Sequence, residues 1–115
     1  MVVDDSSFIW EELQYILGET EYEIVGYAKS GEEAIELYEK LQPDAVTLDI
    51  VLPGIDGIDT AKQIRSKWPD AKIIMISSLA YDDTMDEANA AGACDFIFKP
   101  FDIQQILDAL EKVLS

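Results

Sequence analysis

Apolar residues run along this chain in two alternating rhythms. Short, mostly unbroken runs come first: Val2-Val3, Ala45-Val46-Thr47-Leu48, Ile73-Ile74-Met75-Ile76 and Phe96-Ile97-Phe98. Between them lie longer stretches whose apolar residues recur every three or four positions, the period of a helix with one buried face. Asp5-Ser6-Ser7 offers an N-cap, and Ile9, Leu13, Ile16 and Leu17 follow at helical spacing until Gly18. Tyr22 to Ala28, rich in β-branched and aromatic residues, predicts a strand. Ser30 and Glu33 match a capping box for a helix carrying Ala34, Ile35, Leu37, Tyr38 and Leu41, ended by Pro43. Asp44 to Asp49 predicts a short buried strand, and Pro53-Gly54 and Asp56-Gly57 punctuate a loop. Ile58 to Trp68 predicts a helix, Lys72 to Ser77 a strand covered on both faces, and Asp82 to Ala91 an alanine-rich helix closed by Gly92. Asp95 to Phe98 and Asp102 to Leu114 supply the last strand and helix, the helix with Ile103, Ile106, Leu107, Leu110, Val113 and Leu114 on its apolar side.

This alternation is (βα)₅, an α/β chain whose crossovers favour a parallel sheet with helices on both faces. Its length of 115 residues suits one domain spanning 1–115. No apolar run approaches the ~20 residues of a membrane span and no signal-peptide pattern follows Met1, so a soluble cytoplasmic protein is expected. The lone Cys94 cannot form an internal disulfide and reads as a packed structural thiol.

Charge narrows the function further. A net charge of −16 argues against direct binding of nucleic acid or of anionic membranes. The absence of histidine excludes His-dependent triads, histidine metal sites and any phosphohistidine on this chain.

The chemistry gathers where the runs end: at Asp4-Asp5, Asp49, Ser77 and Lys99. Ligands of open parallel sheets bind at the carboxyl ends of strands. A single acid there is usually a helix cap, a lone lysine a solvated charge and a lone serine a cap. Three carboxylates are harder to explain so, because like charges about 4 Å apart repel by roughly 4 kcal/mol at an effective dielectric of 20. A cation relieves that repulsion, and a donor set of hard oxygens selects Mg²⁺ or Mn²⁺ over zinc or copper.

The segments Val2-Val3-Asp4-Asp5-Ser6, Asp49 to Gly57, Ile76-Ser77-Ser78, Ala91 to Phe96 and Lys99-Pro100-Phe101 stand in the order and spacing of a known family. The chain resembles the receiver domains of two-component response regulators, and among them the stand-alone chemotaxis type. The resemblance implies a flavodoxin-like, doubly wound three-layer sandwich with strand order 2-1-3-4-5. It implies that Asp49 accepts a phosphoryl group from a sensor histidine kinase or phosphotransfer protein. Asp5, Asp49 and the Val51 backbone carbonyl would bind Mg²⁺, with Asp4 reaching it through water. Lys99 and Ser77 would contact the phosphoryl group, and Phe96 would be an aromatic switch read by a downstream protein target through the fourth helix, last strand and last helix. The Lys99-Pro100 peptide is expected to be cis. Val51 and Leu79 flank the path of the hydrolytic water in such proteins, and both are apolar, which predicts slow self-dephosphorylation. Phe8, Trp10 and Phe101 lie on the side that meets the phosphodonor and are candidate partner contacts, while Ile9 is expected in the core.

One departure is the first strand, where Met1-Val2-Val3 alone precede the acidic pair at a mid-sheet position, so neighbouring ladder groups are expected to lack partners. Rival readings remain: a Mg²⁺-dependent phosphatase with an aspartate nucleophile, a degenerate receiver that only binds partners, and a small flavodoxin-like binding protein. The phosphatase reading expects a second Asp where Val51 stands, and the flavodoxin-like reading lacks a phosphate loop after the first strand. The chain signals by docking or is a receiver excised from a longer regulator; beyond its own phosphorylation and dephosphorylation, no enzymatic activity is expected.

Overall fold

A computed structural model describes residues 1–78 and 82–115, with backbone alone for Asp82 and Asp83. The elements follow the predicted alternation: β1 Val2–Val3, α1 Ser7–Leu17, β2 Tyr27–Ala28, α2 Gly31–Leu41, β3 Val46–Leu48, α3 Gly57–Lys67, β4 Ile73–Ser77, α4 Asp82–Ala90, β5 Asp95–Phe98 and α5 Ile103–Leu114. All four strand pairings are parallel, in the order β2-β1-β3-β4-β5. The doubly wound arrangement expected from the resemblance is therefore present.

The apolar period explains the layering. Successive residues of a strand face opposite sides of the sheet. In β4, Ile73 and Met75 join one core with Ala34, Tyr38, Ile58, Ala61, Ile64, Ala88 and Ala91 of α2, α3 and the α4 region. Ile74 and Ile76 join the other core with Leu13 and Ile16 of α1 and Ile106, Ala109, Leu110 and Val113 of α5. Every residue of β4 is buried, as the unbroken run of apolar side chains requires.

Caps fix where the helices begin. The Ser30 hydroxyl accepts the Glu33 N–H at 3.2 Å, and Asp56 accepts the Asp59 N–H at 2.8 Å. Only the hydroxyl half of the expected Ser30–Glu33 box forms. Glu32 instead accepts the Ile55 N–H at 3.0 Å, tying α2 to the loop before α3. The reciprocal box is at α5, where Asp102 and Gln105 exchange bonds of 2.8 and 2.9 Å. At α1, Ser6 occupies the cap position without a side-chain bond. Its N–H donates to Asp4 Oδ1 at 2.9 Å, so the expected Asp5-Ser6-Ser7 cap is replaced by an upstream carboxylate.

Two expectations need correction. Ile103 and Leu114, the first and last residues of α5, are exposed, at 49% and 39%. The strand predicted over Tyr22–Ala28 forms a ladder only at Tyr27 and Ala28. The cause is β1. As an edge strand, β2 has one neighbour, and β1 runs only from Val2 to Val3. Val2 N–H donates to Gly26 O at 3.0 Å and the Met1 amine to Ala45 O at 3.0 Å. Upstream of Met1 lies a cavity of about 400 Å³ between residues 22–25 and 43–45.

Candidate functional site

The carboxyl ends of β1, β3, β4 and β5 bring Asp4, Asp49, Ser77 and Lys99 to one edge of the sheet. Asp4 and Asp49 directly follow central strands, which explains their burial at 2% and 7% exposure. Ser77 ends β4 and is fully buried, and its carbonyl accepts the Lys99 N–H at 2.9 Å. That bond carries β5 one step beyond its ladder and aims Lys99 inward across a cis peptide to Pro100.

The Lys99 ammonium bridges two carboxylates, 2.8 Å from Asp4 Oδ2 and 3.0 Å from Asp49 Oδ2. Burial pushes the Asp49 carboxyl above its ordinary range; the Lys99 hydrogen bond and charge oppose this, and Asp4 adds to it. Burial pulls the Lys99 amine down, but the two carboxylates outweigh it and the net direction is upward. Lys99 thus sets one basic group against two of the cluster's carboxylates.

A third carboxylate completes the cluster. One oxygen from each of Asp4, Asp5 and Asp49 lies within 4.8 Å of the others. Asp5 is exposed, so the group opens to solvent on its side. Three hard oxygens with, among the described residues, only the Lys99 ammonium between them suit a divalent metal such as Mg²⁺. The Val51 N–H donates to Asp49 Oδ1 at 3.3 Å, fixing the carboxylate against its own loop, while the Val51 side chain is 57% exposed at the mouth.

The loop after β3 is held by Gly57, which reads in the sequence as turn punctuation at the end of the Asp49-to-Gly57 segment, with no structural role. Gly57 N–H donates to Ile50 O at 2.7 Å, and a Cβ on Gly57 would collide with the Asp49 backbone carbonyl. Gly57 therefore lets α3 begin directly beneath the candidate nucleophile. The Asp-Gly pair marked a turn, but the close approach exists only in three dimensions.

The aromatic candidates divide. Phe8, in the first turn of α1, is 78% exposed. Trp10 packs against the α1–α5 core and lies 5.3 Å from the Tyr27 ring, and Phe101 packs against the same core. Ile9 and Cys94 are also partly buried there, in keeping with their expected packing roles. Phe96 is half-buried against the opposite core, its ring 5.0 Å from that of Phe98. Phe98, 38% exposed and two residues along the same strand face, was not singled out from the sequence. Leu79 lies outside the described residues.

Known proteins place this geometry. The family model described as response regulator receiver domain matches residues 1–111. Chemotaxis protein CheY of Thermotoga maritima is 43% identical over 113 residues, covering 98% of this chain and 94% of that protein. CheY of Halobacterium salinarum is 41% identical over 115 residues, covering 100% and 95%. Among solved structures, the CheX–CheY–BeF₃–Mg²⁺ complex from Borrelia burgdorferi superposes with a TM-score of 0.94 at 35% identity, covering 99% of this chain and 87% of that one. The response regulator domain of Thermotoga maritima CheB gives a TM-score of 0.85 at 39% identity, covering 97% and 90%. With its strand order and whole-length sequence similarity in agreement, the chain belongs to the response regulator receiver domain family of two-component signalling and is CheY-like.

Proposed function

We propose that residues 1–115 act as one phosphorylation-controlled switch with Asp49 as phosphoacceptor. The observation that carries this reading is the buried Asp49 carboxylate, held 3.0 Å from the Lys99 ammonium at the end of a central strand. Asp4, Asp5, Asp49 and the Val51 carbonyl would hold Mg²⁺ (or Mn²⁺), Asp4 through water. Bound there, the cation would offset charge on the transferring oxygens.

The chain's own residues do the rest. An Asp49 oxygen attacks phosphorus as the bond to the donor histidine nitrogen breaks, and the imidazole leaves with the bonding electrons. Val51 N–H orients Asp49, and Lys99 meets the new phosphoryl oxygens. Phosphorylation adds about −1.5 to −2 charge and three acceptors. Ser77 then donates to one of them, Phe96 moves inward, and the population shifts across α4, β5 and α5. Phe8, with parts of Trp10 and Phe101, would meet the donor, a sensor histidine kinase or phosphotransfer protein. A downstream protein reads the α4–β5–α5 face. The structure titled as a CheX–CheY complex is an instance of protein partnership in a relative.

No described helix is long and apolar enough to cross a membrane. With the acidic surface, this supports a cytoplasmic location and protein partners rather than nucleic acid or membranes. Turnover of other substrates is not part of this reading. Acetyl phosphate labelling with and without Mg²⁺ tests it. Wild type should label only with the cation and Asp49→Asn should not label; undiminished labelling of Asp49→Asn would sink the assignment.

A further inference from the structure

The loop that carries Val51 is fastened at both ends. Residues 49–56 belong to no helix or strand, so their backbone is set by the bonds and contacts it finds elsewhere. At the start, the Val51 N–H donates to Asp49 Oδ1 at 3.3 Å, and Ile50 and Leu52 on either side of Val51 are buried in one core with Ala34. At the far end the partner comes from another element. Glu32 stands in the first turn of α2, and its Oε1 accepts the Ile55 N–H at 3.0 Å. Gly54 has a φ of 77°, and a Cβ there would lie 2.6 Å from both Glu32 carboxylate oxygens. The carboxylate therefore rests against the loop backbone at Gly54 and Ile55.

An acid in the first turn of a helix ordinarily answers that helix's own N-terminal N–H groups. For Glu32 this comes second. The Ile55 N–H is the larger influence holding its carboxyl below the ordinary range, and its own N–H is the smaller. Among the described residues, Glu32 forms no ion pair and is not one of the carboxylates that converge on the candidate cation site. Its bond to Ile55 is the one hydrogen bond among the described residues that ties α2 to residues 49–56. A bond from an ionised carboxylate to a backbone N–H is stronger than one between neutral groups. Glu33 carries the same charge in the same turn, and among the described residues its side chain makes no bond to the loop.

We propose that Glu32 is a positioning residue for the cation site: by holding the Ile55 N–H it fixes the loop that presents the Val51 carbonyl, and so sets the affinity for Mg²⁺. This rests on the reading of Asp4, Asp5, Asp49 and Val51 as the residues that hold the cation. Glu32 acts through its hydrogen bond and not through its charge. Partners behind a metal ligand orient it and tune affinity in this way. The transfer of the phosphoryl group to Asp49 does not involve Glu32 once the cation is bound.

Mg²⁺ titrations of the isotope-labelled chain, followed by NMR at the Asp49, Val51 and Ile55 amides, test this without any phosphodonor. Glu32→Ala should raise the Mg²⁺ concentration for half-saturation by about tenfold. Glu32→Gln keeps an acceptor oxygen without the charge and should return to within about twofold of wild type. Glu33→Ala removes the same charge from the same turn and should also stay within about twofold. Acetyl phosphate labelling of Glu32→Ala should need more Mg²⁺ yet reach the wild-type rate at saturation. An unchanged half-saturation in Glu32→Ala, even with a lower melting temperature, would make Glu32 a stability residue only and overturn the proposal. A Glu32→Gln variant as weak as Glu32→Ala, or an equal loss in Glu33→Ala, would assign the effect to charge and overturn it likewise. So would a slower rate for Glu32→Ala at saturating Mg²⁺. If wild type itself showed no Mg²⁺-dependent shifts at Asp49 and Val51, the cation site would fall and this inference with it; the other outcomes leave that site standing.

Discussion

Lys99 makes two bonds to carboxylates that are themselves almost fully buried. Removing it leaves those charges facing each other with no counter-ion, the costly way to break a buried pair. Because the amine is partly exposed, the loss is smaller than for a sealed pair. We expect Lys99→Met to lower stability by about 1–3 kcal/mol at pH 7 without divalent cation. The deficit should shrink as pH falls and the carboxylates protonate, and Mg²⁺ should recover part of it; urea titrations across pH with and without Mg²⁺ measure both. Val51 at the mouth offers a second handle. Replacing it with Asn should speed loss of phosphate from Asp49 by about tenfold, roughly 1.4 kcal/mol of barrier, as read by the decay of labelled protein. Asp4, Asp49 and Lys99 were legible in the sequence because each ends an apolar run, and a parallel sheet gathers strand ends without further information. Gly57 was not, since nothing in Asp56-Gly57 says that the Asp49 carbonyl lies against it. Gly57→Ala is expected to cost about 2 kcal/mol or more and to weaken Mg²⁺-induced stabilisation, measured by thermal melts at stepped Mg²⁺.

Elements reveal a different limit. The β-rich composition of Tyr22–Gly26 marks what that segment can do in a sheet, yet whether it pairs depends on β1, encoded some twenty positions away. The expected shortage of partners beside β1 was legible; how far it erodes β2 was not, because pairing is a property of two segments. Conversely, Asp102 and Gln105 form a reciprocal capping box that was not singled out from the sequence. The same short strand places an amine inside the protein. Burial lowers the Met1 amine from 8.0 to about 6, with Asp44 pulling the other way. Between those values the unfolded chain binds the proton and the folded chain does not, so stability rises with pH through that window. The gain should be about 2 kcal/mol from pH 6 to pH 8, at 1.36 kcal/mol per pKa unit. Acetylating Met1 should flatten the rise in denaturant midpoints, since no amine is left to titrate.

At the scale of the molecule, two cores share one sheet, and β4 contributes alternate residues to both. The chain carries 24 acidic residues against 8 basic ones, so the surface around them repels itself. Raising NaCl from 10 to 500 mM (Debye length from about 30 Å to about 4–5 Å) should therefore raise the melting temperature; a fall would show that attractive pairs dominate instead. The layered fold was readable from the rhythm of the chain because both faces of the sheet demand apolar strands. The uneven strength of that sheet has a temporal consequence. Amide hydrogens within β4 sit between two cores and should exchange with solvent deuterium only when the whole domain opens. Those of Val2, Val3 and Asp4, in a strand of two ladder residues, should exchange by smaller and more frequent openings. The strand that presents the candidate metal-ligating carboxylates Asp4 and Asp5 would then be the first part of the sheet to become labelled.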